Sequence, residues 1–246
     1  MLLSWIIGFC ILGSVGAVAG AGAMLLFPEA VRRRIVPALV SYATGTLLGA
    51  AFLGMLPAAL AQAPARPVTA AVLAGIVGFF MLEKLVLWRH CHEHDCVVHG
   101  RAAPLILFGD AFHNFVDGVV IAAAFLTAIP LGVATAFAVI AHEVPQEVGD
   151  FGILLDSGYG RGKALLLNTL SSLATLPGGI AAYLWLDRVR EAVPFILAAS
   201  AASFIYIATA DLIPALHRQV AAGASLRQLA LLLAGIATIA VFHPGG

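Results

Sequence analysis

Two short stretches of this 246-residue chain hold most of its chemistry. One reads Gly109-Asp110-Ala111-Phe112-His113-Asn114-Phe115-Val116-Asp117-Gly118. The other reads His142-Glu143-Val144-Pro145-Gln146-Glu147-Val148-Gly149-Asp150. Asp110, His113, Asn114 and Asp117 follow the i, i+3, i+4, i+7 spacing of one helical face. Glu143, Glu147 and Asp150 do the same, with His142 and Gln146 as an i, i+4 pair beside them. Imidazole, carboxylate and amide oxygen together make a ligand set for a divalent cation such as zinc, iron(II), manganese or cadmium. No thiolate lies nearby, which argues against copper(I). Two such rows could hold two adjacent ions with a carboxylate between them.

The elements that carry these rows follow from composition. Hydrophobic residues make up 61% of the chain and charged residues 11%, with a mean hydropathy of +1.01 and zero net charge. A soluble domain has about 25% charged residues, so a soluble enzyme, a disordered chain and a nucleic-acid binder are excluded. A polytopic all-α membrane protein in the lipid bilayer remains, forming one transmembrane domain over 1–246. Proline, glycine and charge divide it into eight apolar segments, at about 2–26, 36–61, 68–88, 103–128, 130–155, 163–186, 192–216 and 225–243. The first lacks the basic start of a signal peptide and is expected to be retained. Pro104 and Pro130 open the fourth and fifth segments, where a missing N–H costs little. Almost nothing connects these two, so they form a tight antiparallel hairpin.

Lysine and arginine set the orientation. Arg32, Arg33, Arg34, Lys84, Arg89, Arg101, Arg161, Lys163, Arg218 and Arg227 fall on one side, and Arg66, Arg188 and Arg190 on the other. The first set is expected in the cytoplasm, with both termini outside. An offset of about 157 residues carries segments 1–3 onto 6–8 and Pro57-Ala58 onto Pro214-Ala215. The two copies would have opposite topology, as in transporters with inverted repeats, with the fourth and fifth helices as a central pair. Short loops and Ala/Gly/Leu-rich repeats suggest a bacterial cytoplasmic (inner) membrane.

The polar rows thus lie inside membrane helices. His113 and His142 are ten and twelve residues into their segments, roughly 15–18 Å deep in a 30 Å core. Each ionisable group there costs on the order of 3 kcal/mol. One buried histidine is ordinarily a helix–helix hydrogen bond. His113, Asp117, His142 and Glu143 at one depth instead require a compensating positive charge. Pro145 is expected to bend its helix and turn carbonyls toward the site. Asp110, Glu147 and Asp150, nearer the helix ends, suit either ligation or a solvated mouth. Asp211, before Pro214, could line the path or cap a broken helix. Asn168, Ser171 and Ser172 read as helix–helix hydrogen bonders. A cytoplasmic loop at 89–101 carries His90, Cys91, His92, His94, Cys96 and His99, a soft metal-binding tract without zinc-finger spacing that suits a transient relay.

HNFVDG at 113–118 and HEVPQEVGDF at 142–151 resemble the paired signatures of the ZIP (Zrt/Irt-like) metal transporters, nearest the subgroup with a HExPHExGDF pattern. The stretch TLLGAAFLGMLP at 46–57 and the histidine-bearing loop extend the likeness. The resemblance implies import of a divalent metal, often zinc, as transported substrate. It implies no prosthetic group, a binuclear site and a homodimer. Matched by motif, His113, Asp117 and His142 would belong to one metal position, and Asn114 and Glu143 to the second. Gln146 stands where the family has histidine or a bridging glutamate. A neutral amide there implies a weaker or differently selective site. Gly54 and Ala58 occupy places where that subgroup has histidine and acidic groups, so an entrance lined by such groups is not expected.

Two other readings fit parts of the pattern. An intramembrane zinc metalloprotease would use His142-Glu143, yet HExxH needs a second histidine where Gln146 stands. A proton-coupled carrier of organic solutes would use the same groups as a relay. Its substrate would want arginine, lysine or aromatic contacts, and the interiors of these two helices offer only phenylalanine.

Overall fold

The computed structural model describes residues 1–24, 26–88, 102–186, 188–217 and 222–241. The His/Cys tract of 89–101 lies outside the described residues. Within them the chain forms eight helical rods and no strand. These are α1 (Leu2–Met24), α2 (Glu29–Gln62), α3 (Ala65–Trp88), α4 (Ala102–Thr127), α5 (Ile129–Asp156), α6 (Arg161–Leu186), α7 (Arg190–His217) and α8 (Ala222–Val241). Six of them are long and apolar enough over their described residues to cross a membrane: α1, α2, α4, α6, α7 and α8. Their outward faces are apolar, with Phe108, Leu166, Leu170, Leu226 and Leu233 all exposed. Large apolar groups at the surface of so many helices suit lipid rather than water.

Three elements depart from the expected segments. Helix α2 begins at Glu29, not near 36, so Arg32–Arg34 are helical rather than in a loop. Proline at 37 removes only the N–H that would serve the carbonyl of Arg33, and at an exposed helix end water can serve it. An Arg33–Glu29 pair one turn apart supports the same turn. Helix α6 is broken, as Arg161–Ser172 and Thr175–Leu186. Pro177 has no N–H for the carbonyl of Leu173, which accepts from Leu176 N–H at 3.1 Å instead. Helix α5, by contrast, runs unbroken through Pro145.

The third departure bears on the repeat. Helices α2 and α7 each widen into a π segment, Ala50–Met55 and Ile207–Leu212. The offset of 157 residues that carries Pro57 to Pro214 also carries one π segment onto the other. Proline supplies the cause in both copies. It leaves the carbonyl four residues earlier, of Leu53 or Ala210, without its usual donor, and the helix widens there. Packing follows the same exchange. Helix α3 lies on α7 as α8 lies on α2, and α1 lies on α5 as α6 lies on α4.

Glycine sets how closely these pairs approach. A Cβ on Gly45 of α2 would fall on the carbonyl oxygen of Leu232, and one on Gly235 of α8 on that of Tyr42. A Cβ on Gly118 of α4 would meet the carbonyl of Thr175, and one on Gly178 of α6 that of Phe115. The α4–α6 contact therefore brings backbone onto backbone beside the polar face of α4.

Candidate metal site

Helices α4 and α5 are antiparallel and joined through Ala128. His113 and His142, counted from opposite helix starts, meet at one depth. Their Nε2 atoms are 3.2 Å apart, with ring planes 85° to one another. Asp117 Oδ2 is 3.6 Å from His113 Nε2 and 3.3 Å from His142 Nε2. Glu143 Oε1 is 3.5 Å and 3.7 Å from the same two nitrogens. A tetrahedral zinc held at about 2.0–2.2 Å sets its ligand atoms roughly 3.3–3.6 Å apart. Five of the six separations among these four ligand atoms, at 3.2–3.7 Å, thus lie close to those of a tetrahedral zinc coordination shell.

The tautomer of His142 follows from its other nitrogen. Nδ1 lies 3.0 Å from the carbonyl oxygen of Ala138. A carbonyl only accepts, so Nδ1 carries the proton and Nε2 turns its lone pair to the other three ligands. Phe204 of α7 packs edge-on against the same ring, 5.9 Å between centroids. A backbone carbonyl on one side and an aromatic wall on the other fix the orientation of the ring. Sequence reasoning missed Phe204, for which no local motif gives a signal.

A second set lies toward the start of α4 and the end of α5. Asp110, Glu143 and Glu147 each offer an oxygen, all within 4.8 Å of one another, so Glu143 belongs to both sets. Four carboxylates, Asp110, Asp117, Glu143 and Glu147, are each 5% exposed or less. Both oxygens of Asp117, Glu143 and Glu147 and Oδ2 of Asp110 lack a hydrogen-bond partner among the described residues. Buried carboxylate oxygens without donors are costly unless a cation or protons neutralise them. Two divalent cations would balance four such charges.

The remaining expected residues fall around these sets. Asn114 and Gln146 both donate to Asp110 Oδ1, at 3.0 and 3.1 Å. The side-chain oxygen of Asn114 accepts from Thr175 Oγ1 at 3.0 Å. Asn168 donates to the backbone carbonyl of Glu147 at 3.2 Å. Asp150 is half-buried, and Asp211 is exposed within the π segment of α7, outside both sets. The break in α6 brings Ser171, Ser172 and Thr175 beside the polar face of α4. Pro177-Gly178-Gly179 was the available signal for that break.

Burial is lopsided about the site. Toward the α4–α5 turn, Ile121, Ala124, Phe125, Leu131, Ala134, Ala138 and Val139 are all at most 3% exposed. Toward the other end His113 keeps 20% of its side chain exposed, and Gln146 and Asp150 are half-buried.

A bundle of apolar, membrane-length helices whose centre gathers two imidazoles and four buried carboxylates is an integral membrane protein with a candidate cation site. The family model described as the ZIP zinc transporter matches residues 88–243, and the chain belongs to that family. Zinc transporter ZIP13 of Pongo abelii is 36% identical over 219 residues, covering 83% of this chain and 66% of that protein. Human ZIP13 is 30% identical over 83% of this chain and 70% of its own length. Human zinc transporter ZIP4 is 42% identical over 112 residues, 46% of this chain and 17% of that protein. The chain thus spans less than two thirds of several relatives it matches. ZIP proteins are transporters, not enzymes, which sets the metalloprotease reading aside. These relatives come from animals and lend no support to a bacterial host membrane.

Proposed function

We propose that this protein carries zinc across its membrane toward the cytoplasm, through His113, Asp117, His142 and Glu143 as the principal coordination position. The observation that carries the reading is the spacing of 3.2–3.7 Å in five of the six pairs among these four ligand groups, close to that of a tetrahedral ion. Two neutral imidazoles and two carboxylates give a neutral complex with a divalent ion, which lowers the cost of holding it at mid-membrane. The second set, Asp110, Glu143 and Glu147, takes a further ion on its way through, with Glu143 shared. Asp150 and the half-buried end of the site form its mouth.

Two features support inward transport. The closed packing toward the α4–α5 turn and the partly exposed His113, Gln146 and Asp150 on the opposite side favour access from that side. The excess of lysine and arginine at that end marks it as cytoplasmic. In the state described here a bound ion would leave inward, and a second state must open the apolar seal around Phe125 and Val139. By family resemblance the protomer works as a homodimer, and iron(II), manganese and cadmium are its further candidate substrates.

The test is zinc uptake into proteoliposomes loaded with a zinc-sensitive dye, with manganese, iron(II) and cadmium as competitors. Saturable uptake by the wild type that disappears in His142→Ala supports the proposal. Uptake by neither protein, or equal uptake by both, would overturn it.

A further inference from the structure

We infer that Gln146 is a positioning residue for Asp110, and through it determines which ions the second carboxylate set prefers. The inference rests on the metal-binding reading of α4 and α5. By its place in the motif Gln146 would offer its amide oxygen to an ion, and the hydrogen bonding gives it a different task. A carboxylate accepts and does not donate, so the group facing Asp110 Oδ1 at 3.1 Å is the Gln146 amide nitrogen. Asn114 Nδ2 reaches the same oxygen at 3.0 Å. Asn114 is itself held, its oxygen accepting from Thr175. Two amides from two helices thus fix one oxygen of Asp110.

Its other oxygen, Oδ2, has no partner among the described residues. It is left for the ion, together with Glu143 and Glu147. Two further groups show that this is more than a cluster of acids. Glu147 is 0% exposed, and neither its oxygens nor the buried Ser172 hydroxyl has a hydrogen-bond partner among the described residues. Three carboxylates without an imidazole make a harder ligand set than the neighbouring one, suited to manganese as well as zinc. Histidine at 146 would bring a nitrogen ligand to the same place and soften it. Glutamine supplies the donor and withholds the ligand. Loss of such an orienting contact typically costs 10–100-fold in metal affinity.

The experiment is calorimetric titration of the purified full chain in lipid nanodiscs with manganese and, separately, zinc. Four proteins are compared: wild type, Gln146→Leu, Asp110→Ala and the double variant. Gln146→Leu should weaken manganese binding about tenfold while leaving the tightest zinc isotherm within about twofold, which also reports an intact fold. In the Asp110→Ala background, Gln146→Leu should change nothing further, because its acceptor is gone. Gln146→Met, of nearly the same length, gives the same reading should the leucine variant not fold. An equal manganese loss in both backgrounds would make Gln146 a direct ligand and overturn the inference, as would no loss in either. A wild type that binds neither ion would instead fell the metal-binding reading itself.

Discussion

Glu143 contributes to both ligand sets, so changing it to glutamine should damage two positions with one substitution. The side chain keeps its shape, and one negative charge is lost from a place only 1% exposed. In the His113, Asp117, His142 and Glu143 set, two carboxylates balance one divalent ion. With glutamine the complex keeps one unit of uncompensated positive charge. On insertion scales a unit charge at mid-membrane costs on the order of 3 kcal/mol. At about 1.4 kcal/mol per decade, zinc affinity should fall roughly 100-fold, and the second position should weaken as well. Glu147→Gln removes a ligand of the second set alone and should spare the tight isotherm. Zinc calorimetry in nanodiscs on the two variants reads the contrast directly. Equal isotherms for both variants, or a Glu143→Gln protein that binds like wild type, would refute the shared-ligand reasoning.

Three further outcomes follow from the same geometry. His113→Ala should lower zinc uptake at least tenfold with an unchanged helical circular-dichroism spectrum, because the position loses a ligand and no backbone hydrogen bond. Acidification should weaken zinc binding, since the ion competes with protons for two imidazoles and four carboxylates; titrations at pH 7 and pH 5.5 in the same nanodiscs check this, and tighter binding at the lower pH would contradict it. Gly178→Val should destabilise the fold by about 1–3 kcal/mol, because its side chain would drive α6 off the carbonyl of Phe115; thermal unfolding in detergent measures the loss.

Much of this site could be read before the fold was known, and the reason is periodic. The i, i+3, i+4, i+7 rows put Asp110, His113, Asn114 and Asp117 on one face, and the short α4–α5 connection forced that face against its neighbour. Counting residues at 1.5 Å each placed the two histidines side by side, and His113 and His142 do meet, 3.2 Å apart at Nε2. The offset that paired Pro57 with Pro214 likewise paired two π segments. What periodicity does not carry is the rotamer and the third helix. It could place Gln146 beside the ligands without saying whether its oxygen or its nitrogen faces them. It gave no hint that Asn114 spends its oxygen on Thr175, because that contact depends on where α6 breaks and how closely Gly118 and Gly178 let the backbones approach. The start of α2 was misplaced for a related reason: three arginines and a proline read as a loop, yet one helical turn at a water-exposed end accommodates both.

The most direct test of the central claim is zinc K-edge X-ray absorption on the zinc-loaded protein in nanodiscs at one equivalent of metal. The account predicts four nitrogen and oxygen neighbours at about 2.0–2.1 Å, no sulfur, and the multiple-scattering pattern of two imidazoles, falling to one in His113→Ala or His142→Ala. A sulfur shell, or an imidazole signal indifferent to both substitutions, would contradict it.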